Sequence, residues 1–282
     1  MSSYKLSQRQ CQSFQDDGFL LLPSLLSREE IAPLADRLAA EPKLFCKVGP
    51  LDWIGWTHPQ DDLAGTLSRL TRFVDAAQAL IGEPCYHWHT KIVRKPPGRD
   101  ETLSWHQDFG SWYKDGCLMP KLVTCVIALT DVTSANGCFR LMRGSHKLGR
   151  LDRLKHGIED YSYFSLNTVR LEAIKRRFAV YDMEMSPGDV FFFHANTLHS
   201  SGPNTTDGPR TLLEITYNAI SNPPVFDDQA IHAPHKLTKR ADSCIDEGDY
   251  DTVIDRTRLV DINDPDDPGI QVFRRRYDPG LC

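Results

Sequence analysis

A mainly β fold is predicted, a double-stranded β-helix (jelly roll, cupin-like) core with helices flanking it on the N-terminal side. Three observations predict it. Helical periodicity is concentrated before Pro84; from there short apolar runs alternate with turn signals; and Asn136-Gly137 and Pro187-Gly188 punctuate those runs as strong turns. A chain of 282 residues with 40% hydrophobic and 25% charged residues is ordinary for one globular domain with a substantial core. We therefore expect a single domain over 1–282, with helical support over 1–83, a jelly-roll core over 84–222, and a tail over 223–282.

The elements follow in order. Ser7 to Asp17 suits a short helix ended by Gly18. Ser27-Arg28-Glu29-Glu30 places a hydroxyl at the N-cap and a glutamate three residues on, a capping box that opens a helix to about Ala40. Leu70, Phe73, Val74, Ala77 and Ile81 recur at helical spacing, so one helix is expected over Leu67 to Ile81, closed by Gly82. Tyr86 to Lys95 then reads as a strand. Leu122 to Val132 and Cys138 to Met142 flank Asn136-Gly137 as a hairpin. The polar and aromatic stretch 150–177 is an insertion placed to act as a lid. After the Met185–Asp189 turn come the apolar runs Val190 to Phe193 and Thr211 to Tyr217. Past Asn222 the chain turns Pro- and Asp-rich, the mark of a wrapping or partly disordered tail.

Chemistry concentrates at three places. His106 and Asp108 stand two apart, so on a strand both side chains leave one face and converge on one ion. Among the ten histidines, His106 alone has an acidic residue two positions later. His199 lies where the strand ending at Phe193 opens into a loop. Two histidines and one carboxylate form the facial triad of a non-haem Fe(II) oxygenase, with three coordination positions left open. Arg210 follows His199 by eleven residues (210 − 199) and offers a flat, permanently charged fork for a carboxylate. Each piece alone has an ordinary reading: a capping pair, a bonded loop histidine, a surface ion pair. The combination carries the inference. His194 is the rival ligand, but it ends the phenylalanine run directly and lacks the arginine spacing.

Composition excludes other classes. A net charge of −5 gives no basis for nucleic-acid or acidic-membrane binding. With no long apolar stretch and no secretory leader pattern, a cytoplasmic protein is expected. The eight cysteines include no C-x-x-C pair, and Cys125 and Cys138 read as buried thiols.

Trp105-His106-Gln107-Asp108, Gly144-Ser145-His146, Pro187-Gly188-Asp189 and His199-Ser200-Ser201-Gly202-Pro203-Asn204 with Arg210 resemble the phytanoyl-CoA dioxygenase family of Fe(II)/2-oxoglutarate oxygenases. So does Asp16-Asp17-Gly18-Phe19 near the start, and the likeness runs from about residue 8 to 222. Ala128-Leu129-Thr130-Asp131, Asn136-Gly137 and Ile215-Thr216-Tyr217-Asn218 are similar to the subgroup that hydroxylates ectoine and free amino acids. The resemblance implies Fe(II) held by His106, Asp108 and His199, with 2-oxoglutarate and O2 as co-substrates. It also implies Arg210 and Ser201 on the distal carboxylate of 2-oxoglutarate, with Thr124 touching the same molecule. A carboxylate at 108 implies hydroxylation or desaturation, since halogenating relatives have a small residue there.

The chain departs from ectoine hydroxylases at Gly110-Ser111-Trp112-Tyr113, at the extra Cys117-Leu118, and at His89 and Val93, where the relatives have Gln and Asn. A substrate other than ectoine is therefore expected. Trp112, His89 and Lys91 are the candidate substrate contacts, each weighed against ordinary core packing or, for Lys91, solvation. His87 is expected on the same strand face as His89, and Gly144-Ser145-His146 as a structural turn. The leading expectation is a hydroxylase of a small zwitterion acting as a monomer or homodimer. The same chemistry on a larger natural product or acyl-thioester is the alternative, and a non-catalytic metal- or ligand-binding jelly roll the remote one.

Overall fold

The computed structural model describes residues 4–48, 51–56, 58–151, 166–225, 234 and 236–256. Much of the expected lid (152–165) and of the tail (226–233, 235 and 257–282) lies outside the described residues.

Local chemistry explains the first helices. The Ser7 hydroxyl accepts from the Gln10 backbone N–H while the Gln10 side chain accepts from Ser7 N–H, opening α1 (Gln8–Asp17). Gly18, at φ 83°, closes it in the left-handed conformation. Ser27 and Glu30 repeat the reciprocal cap at α2 (Arg28–Ala40). Three strands accompany these helices: β1 (Phe19–Leu22), β2 (Cys46–Val48) and β3 (Leu51–Trp56). The region before Pro84 thus supplies strands as well as helical support.

The single helix expected over Leu67 to Ile81 is two, α3 (Leu63–Arg69) and α4 (Thr71–Ile81). They part at Leu70, whose backbone is extended (φ −56°, ψ 137°). The cause is tertiary. Thr71 N–H donates to the Arg240 carbonyl at 2.9 Å and Arg240 N–H to the Arg69 carbonyl at 2.8 Å, so a distant segment pairs with the break.

The remaining elements are β4 (Cys85–Lys95), β5 (Leu103–His106), α5 (Phe109–Trp112), β6 (Leu122–Ala128), β7 (Phe139–Met142), α6 (Thr168–Lys175), β8 (Val180–Met183), β9 (Val190–His194), β10 (His199–Ser201) and β11 (Arg210–Ala219). They form a seven-stranded antiparallel sheet, β1-β9-β6-β11-β4-β3-β2, and a four-stranded sheet, β5-β10-β7-β8. This is the predicted mainly β jelly roll.

The large sheet is buried on both faces. Leu213, Ile215 and Tyr217 join Phe192 and the helices in one apolar cluster. Leu212, Phe191 and Phe193 join Phe139 and Leu141 of the small sheet in another. That double burial is why Phe191-Phe192-Phe193 is continuous instead of alternating with polar residues. Each such ring removed from water contributes roughly 1.5–3 kcal/mol.

The predicted hairpin does not form. β6 belongs to the large sheet and β7 to the small one, so Asn136-Gly137 carries the chain between layers. The Asn136 side chain bonds Thr133 N–H (2.8 Å) and the Asp131 carbonyl (2.9 Å), which fixes the crossing. Gly137 sits at φ 84°, and a Cβ there would lie 2.6 Å from the Gly202 carbonyl oxygen. The glycine serves a close approach of two chains, not a two-residue hairpin.

Candidate metal centre and co-substrate site

β5 ends on His106, and the chain turns at Gln107. Asp108 then takes helical backbone (φ −67°, ψ −36°) at the head of α5. The expectation that strand periodicity aligns His106 and Asp108 is therefore corrected: a turn brings them together. Gln107 holds that turn. Its buried amide donates to the Gly149 carbonyl (2.9 Å) and the Asn196 carbonyl (2.8 Å), and its oxygen accepts from Leu151 N–H (2.8 Å).

His199 opens β10 instead of closing the preceding strand, and its Cα pairs directly with that of His106. Ala195 to Leu198 carry the chain from the large sheet to the small one. The His106 Nε2 lies 3.6 Å and the His199 Nε2 3.8 Å from the same Asp108 oxygen. One ligand atom from each residue falls within 4.8 Å of the others, a spacing that suits a single metal ion. Both Nδ1 atoms face backbone carbonyls, His106 that of Ser104 (2.8 Å) and His199 that of Thr197 (3.0 Å). Those contacts assign the N–H to Nδ1 and turn each Nε2 lone pair inward, as a metal site requires.

Burial pushes His199 below the ordinary imidazole range, opposed by the Asp108 carboxylate. Phe139 stacks on its ring at 5.6 Å and Phe193 tilts against it at 4.9 Å. His194, the rival, is not drawn in: its Nδ1 accepts from Asn196 N–H at 3.0 Å, and burial lowers it to about 4. His146 faces the Gln15 carbonyl at 3.1 Å, within the expected structural turn.

A second group of side chains comes from the large sheet. Arg210 begins β11 opposite Lys95 of β4 and is almost wholly buried. Its Nε–H has no hydrogen-bond acceptor, an uncommon and costly state for a buried donor. Burial lowers Arg210 only to about 10, so it stays cationic at neutral pH. Lys95 is fully buried. Its Nζ donates to the Ser201 hydroxyl (3.1 Å) and contacts the Gly202 carbonyl. Burial, then the charge of Arg210, lowers it to about 7. Two buried cations and a serine hydroxyl with an unclaimed N–H make a receptor for a carboxylate. The residues present fit 2-oxoglutarate at this end and iron at the other.

Further along β11, the Thr216 hydroxyl is 3.0 Å from that of Thr124 on β6 and reaches His89 Nε2 on β4 at 3.3 Å. His89 meets Trp112 edge-on at 5.9 Å. Trp112 is buried among Tyr86, Trp88 and Phe109. Lys91 ion-pairs with Glu214 at 3.0 Å. The expectation that His87 shares a face with His89 is corrected: the register shifts between Thr216 and Tyr217, so that His89 lies opposite Thr216 and His87 opposite Tyr217, on the other face. His87 instead bonds the Thr90 hydroxyl at 2.7 Å.

Sequence reasoning missed Gln107, Lys95, Glu214 and Thr216. Lys95 had a signal, since it continues the period-two series His89, Lys91, Val93. Gln107 had only its place between two ligands.

The phytanoyl-CoA dioxygenase family model matches residues 14–212. An ectoine dioxygenase of Bordetella parapertussis is 30% identical over 236 residues, covering 77% of each chain. An L-proline trans-4-hydroxylase of Streptomyces griseoviridis is 30% identical over 227 residues, covering 74% of this chain and 85% of that protein. Among solved structures, EctD from S. alaskensis in its apo form superposes with a TM-score of 0.68 at 23% identity, covering 84% of this chain and 88% of that one. Family model, relatives and the converging triad agree, and the chain belongs to the phytanoyl-CoA dioxygenase family of Fe(II)- and 2-oxoglutarate-dependent oxygenases.

Proposed function

We propose that this enzyme hydroxylates an unactivated C–H bond of a small polar substrate, a free amino acid or related zwitterion. The observation that carries the reading is the pairing of a His106/Asp108/His199 triad with a buried Arg210 whose Nε–H lacks an acceptor, opposite Lys95. Relatives that oxidise ectoine and proline support the substrate class.

In this reading His106, Asp108 and His199 hold iron through two Nε2 atoms and one carboxylate oxygen. Bound there with 2-oxoglutarate, iron supplies the O2 activation that no protein side chain provides. The chain's own part is orientation. Arg210, Lys95 and Ser201 take the distal carboxylate of 2-oxoglutarate and fix its direction, and Arg210 thereby gains the acceptor that its Nε–H lacks. Thr124 touches the same co-substrate in this reading, its hydroxyl set by the bond to Thr216. Phe139 and Phe193 keep the His199 side of the centre dry. Trp112 and His89 wall the substrate side.

Succinate release from 2-oxoglutarate, with Fe(II) and ascorbate, is the test, run against free L-amino acids, cyclic imino acids and ectoine. Stimulation by one of them supports the reading. Slow iron-dependent turnover that none stimulates moves the substrate to larger natural products. No iron binding and no turnover overturns it.

Among the described residues, no helix is long and apolar enough to cross a membrane.

A further inference from the structure

We propose that Glu214, acting with Lys91, is the substrate-selecting subsite of this cavity: its carboxylate receives the cationic nitrogen of the substrate while Lys91 takes the substrate's carboxylate. The inference rests on the oxygenase reading above and names the charge pattern that the substrate must carry.

Position comes first. Arg210, Leu212, Glu214 and Thr216 alternate along β11, so they share one face. Leu213, Ile215 and Tyr217 occupy the other and pack toward the helices. Leu212 packs between the sheets, and Thr216 bonds Thr124 and His89. Glu214 therefore points between the sheets, four residues from Arg210 and two from the threonine pair. On β4, Lys91 is its direct register partner. The charges of Glu214 and Lys91 both reach the buried His199 ring, and that of Glu214 also reaches Arg210. The ion pair is thus within electrostatic reach of His199, and Glu214 within reach of Arg210 as well.

Chemistry comes next. A distal-carboxylate site needs cations, and Arg210 and Lys95 supply them. Glu214 opposes that purpose: a buried carboxylate in an anion-binding cavity weakens anion binding unless it serves another ligand. Its side chain is 5% exposed, that of Lys91 34%. A zwitterion exchanges the internal pair for two new ones and leaves no charge stranded. A ligand with a carboxylate alone draws Lys91 away and takes from buried Glu214 its direct ion-pair partner, which is costly. A ligand with a cation alone takes Glu214 from Lys91, whose side chain is partly solvated and loses less. The subsite therefore punishes loss of the substrate's positive charge more than loss of its negative charge.

The test compares wild-type enzyme on three forms of one compound: the free amino acid that best stimulates succinate release, its N-acetyl derivative and its carboxamide. We expect N-acetylation to lower kcat/KM by on the order of 30-fold or more and amidation by clearly less. Glu214→Gln should raise KM for the free amino acid while narrowing its advantage over the N-acetyl form. The double variant Lys91→Glu/Glu214→Lys keeps an ion pair across the same register and controls for folding. It should match the wild-type melting temperature without recovering turnover. Full recovery of turnover in the swapped variant, or equal use of free and N-acetyl substrates, overturns the proposal. So does a panel in which no zwitterion stimulates an enzyme that still forms the visible Fe(II)–2-oxoglutarate absorption band. Absence of that band in the wild-type protein is a different failure, that of the oxygenase reading itself.

Discussion

The two sheets contribute to the site in opposite ways. The small sheet offers His106 and His199 at strand ends, each ring already anchored to a backbone carbonyl, beside a turn held by Gln107. The large sheet offers charged side chains on two long adjacent strands, and these are not fully matched: Arg210 has an unpaired N–H, and Lys95 is a base under strain from burial. A metal site needs fixed direction, so its ligands come with their second bonds made. A site for a charged organic ligand needs unmet demand, and the large sheet stores it in the fold's own stability. The difference teaches where each half should fail.

The largest effect should come from removing the fixed half. His106→Ala is expected to abolish iron retention and reduce turnover by on the order of 1,000-fold or more, because it removes one of the two imidazole ligands of the proposed centre. Metal analysis of the purified variant checks it, with circular dichroism to show that the fold survives. Persistence of stoichiometric iron contradicts the assignment.

Next is the unmatched half. Arg210→Ala should raise the apparent KM for 2-oxoglutarate by roughly 10- to 100-fold, with a smaller change in kcat, as charge-assisted bonds are lost. Iron retention should be near normal. An equal loss of iron in both variants would erase the distinction between the sheets.

Gln107→Ala sharpens the comparison, since the residue is not among the three that converge as metal ligands. Its bonds to Gly149, Asn196 and Leu151 hold the turn that presents Asp108. Metal affinity should fall by about 10- to 100-fold. Iron titration of the folded variant measures this, and unchanged affinity denies Gln107 a positioning role.

The smallest effect is in pH. Burial and Arg210 hold Lys95 at about 7 in the ligand-free protein, so it is cationic below that pH and neutral above. A dianion binds the cationic form. The affinity for 2-oxoglutarate should therefore weaken as pH rises above 7, by at most about tenfold per unit. Titrations at pH 6, 7 and 8 show this, and Lys95→Met should flatten the profile at a weaker overall affinity.

Much of this was legible in the chain because it depends on local chemistry. A reciprocal serine cap announced α2, left-handed glycines closed α1 and α4, and the doubly buried sheet wrote itself as Phe191-Phe192-Phe193. The residues proposed for the triad and for the carboxylate receptor were named from the chain as well, since metal and carboxylate chemistry restricts residue types, and His106, Asp108 and His199 converge in the fold. What the sequence could not show depends on segments far apart. Arg240 splits a helix at Leu70, the Gly202 carbonyl demands a glycine at 137, and a ladder irregularity separates His87 from His89. Lys95, Glu214 and Gln107 look like ordinary polar residues until the sheets close over them. Local propensities and ligand chemistry are encoded within a few residues; burial and charge pairing exist only once β4, β10 and β11 meet, and that meeting belongs to the tertiary structure.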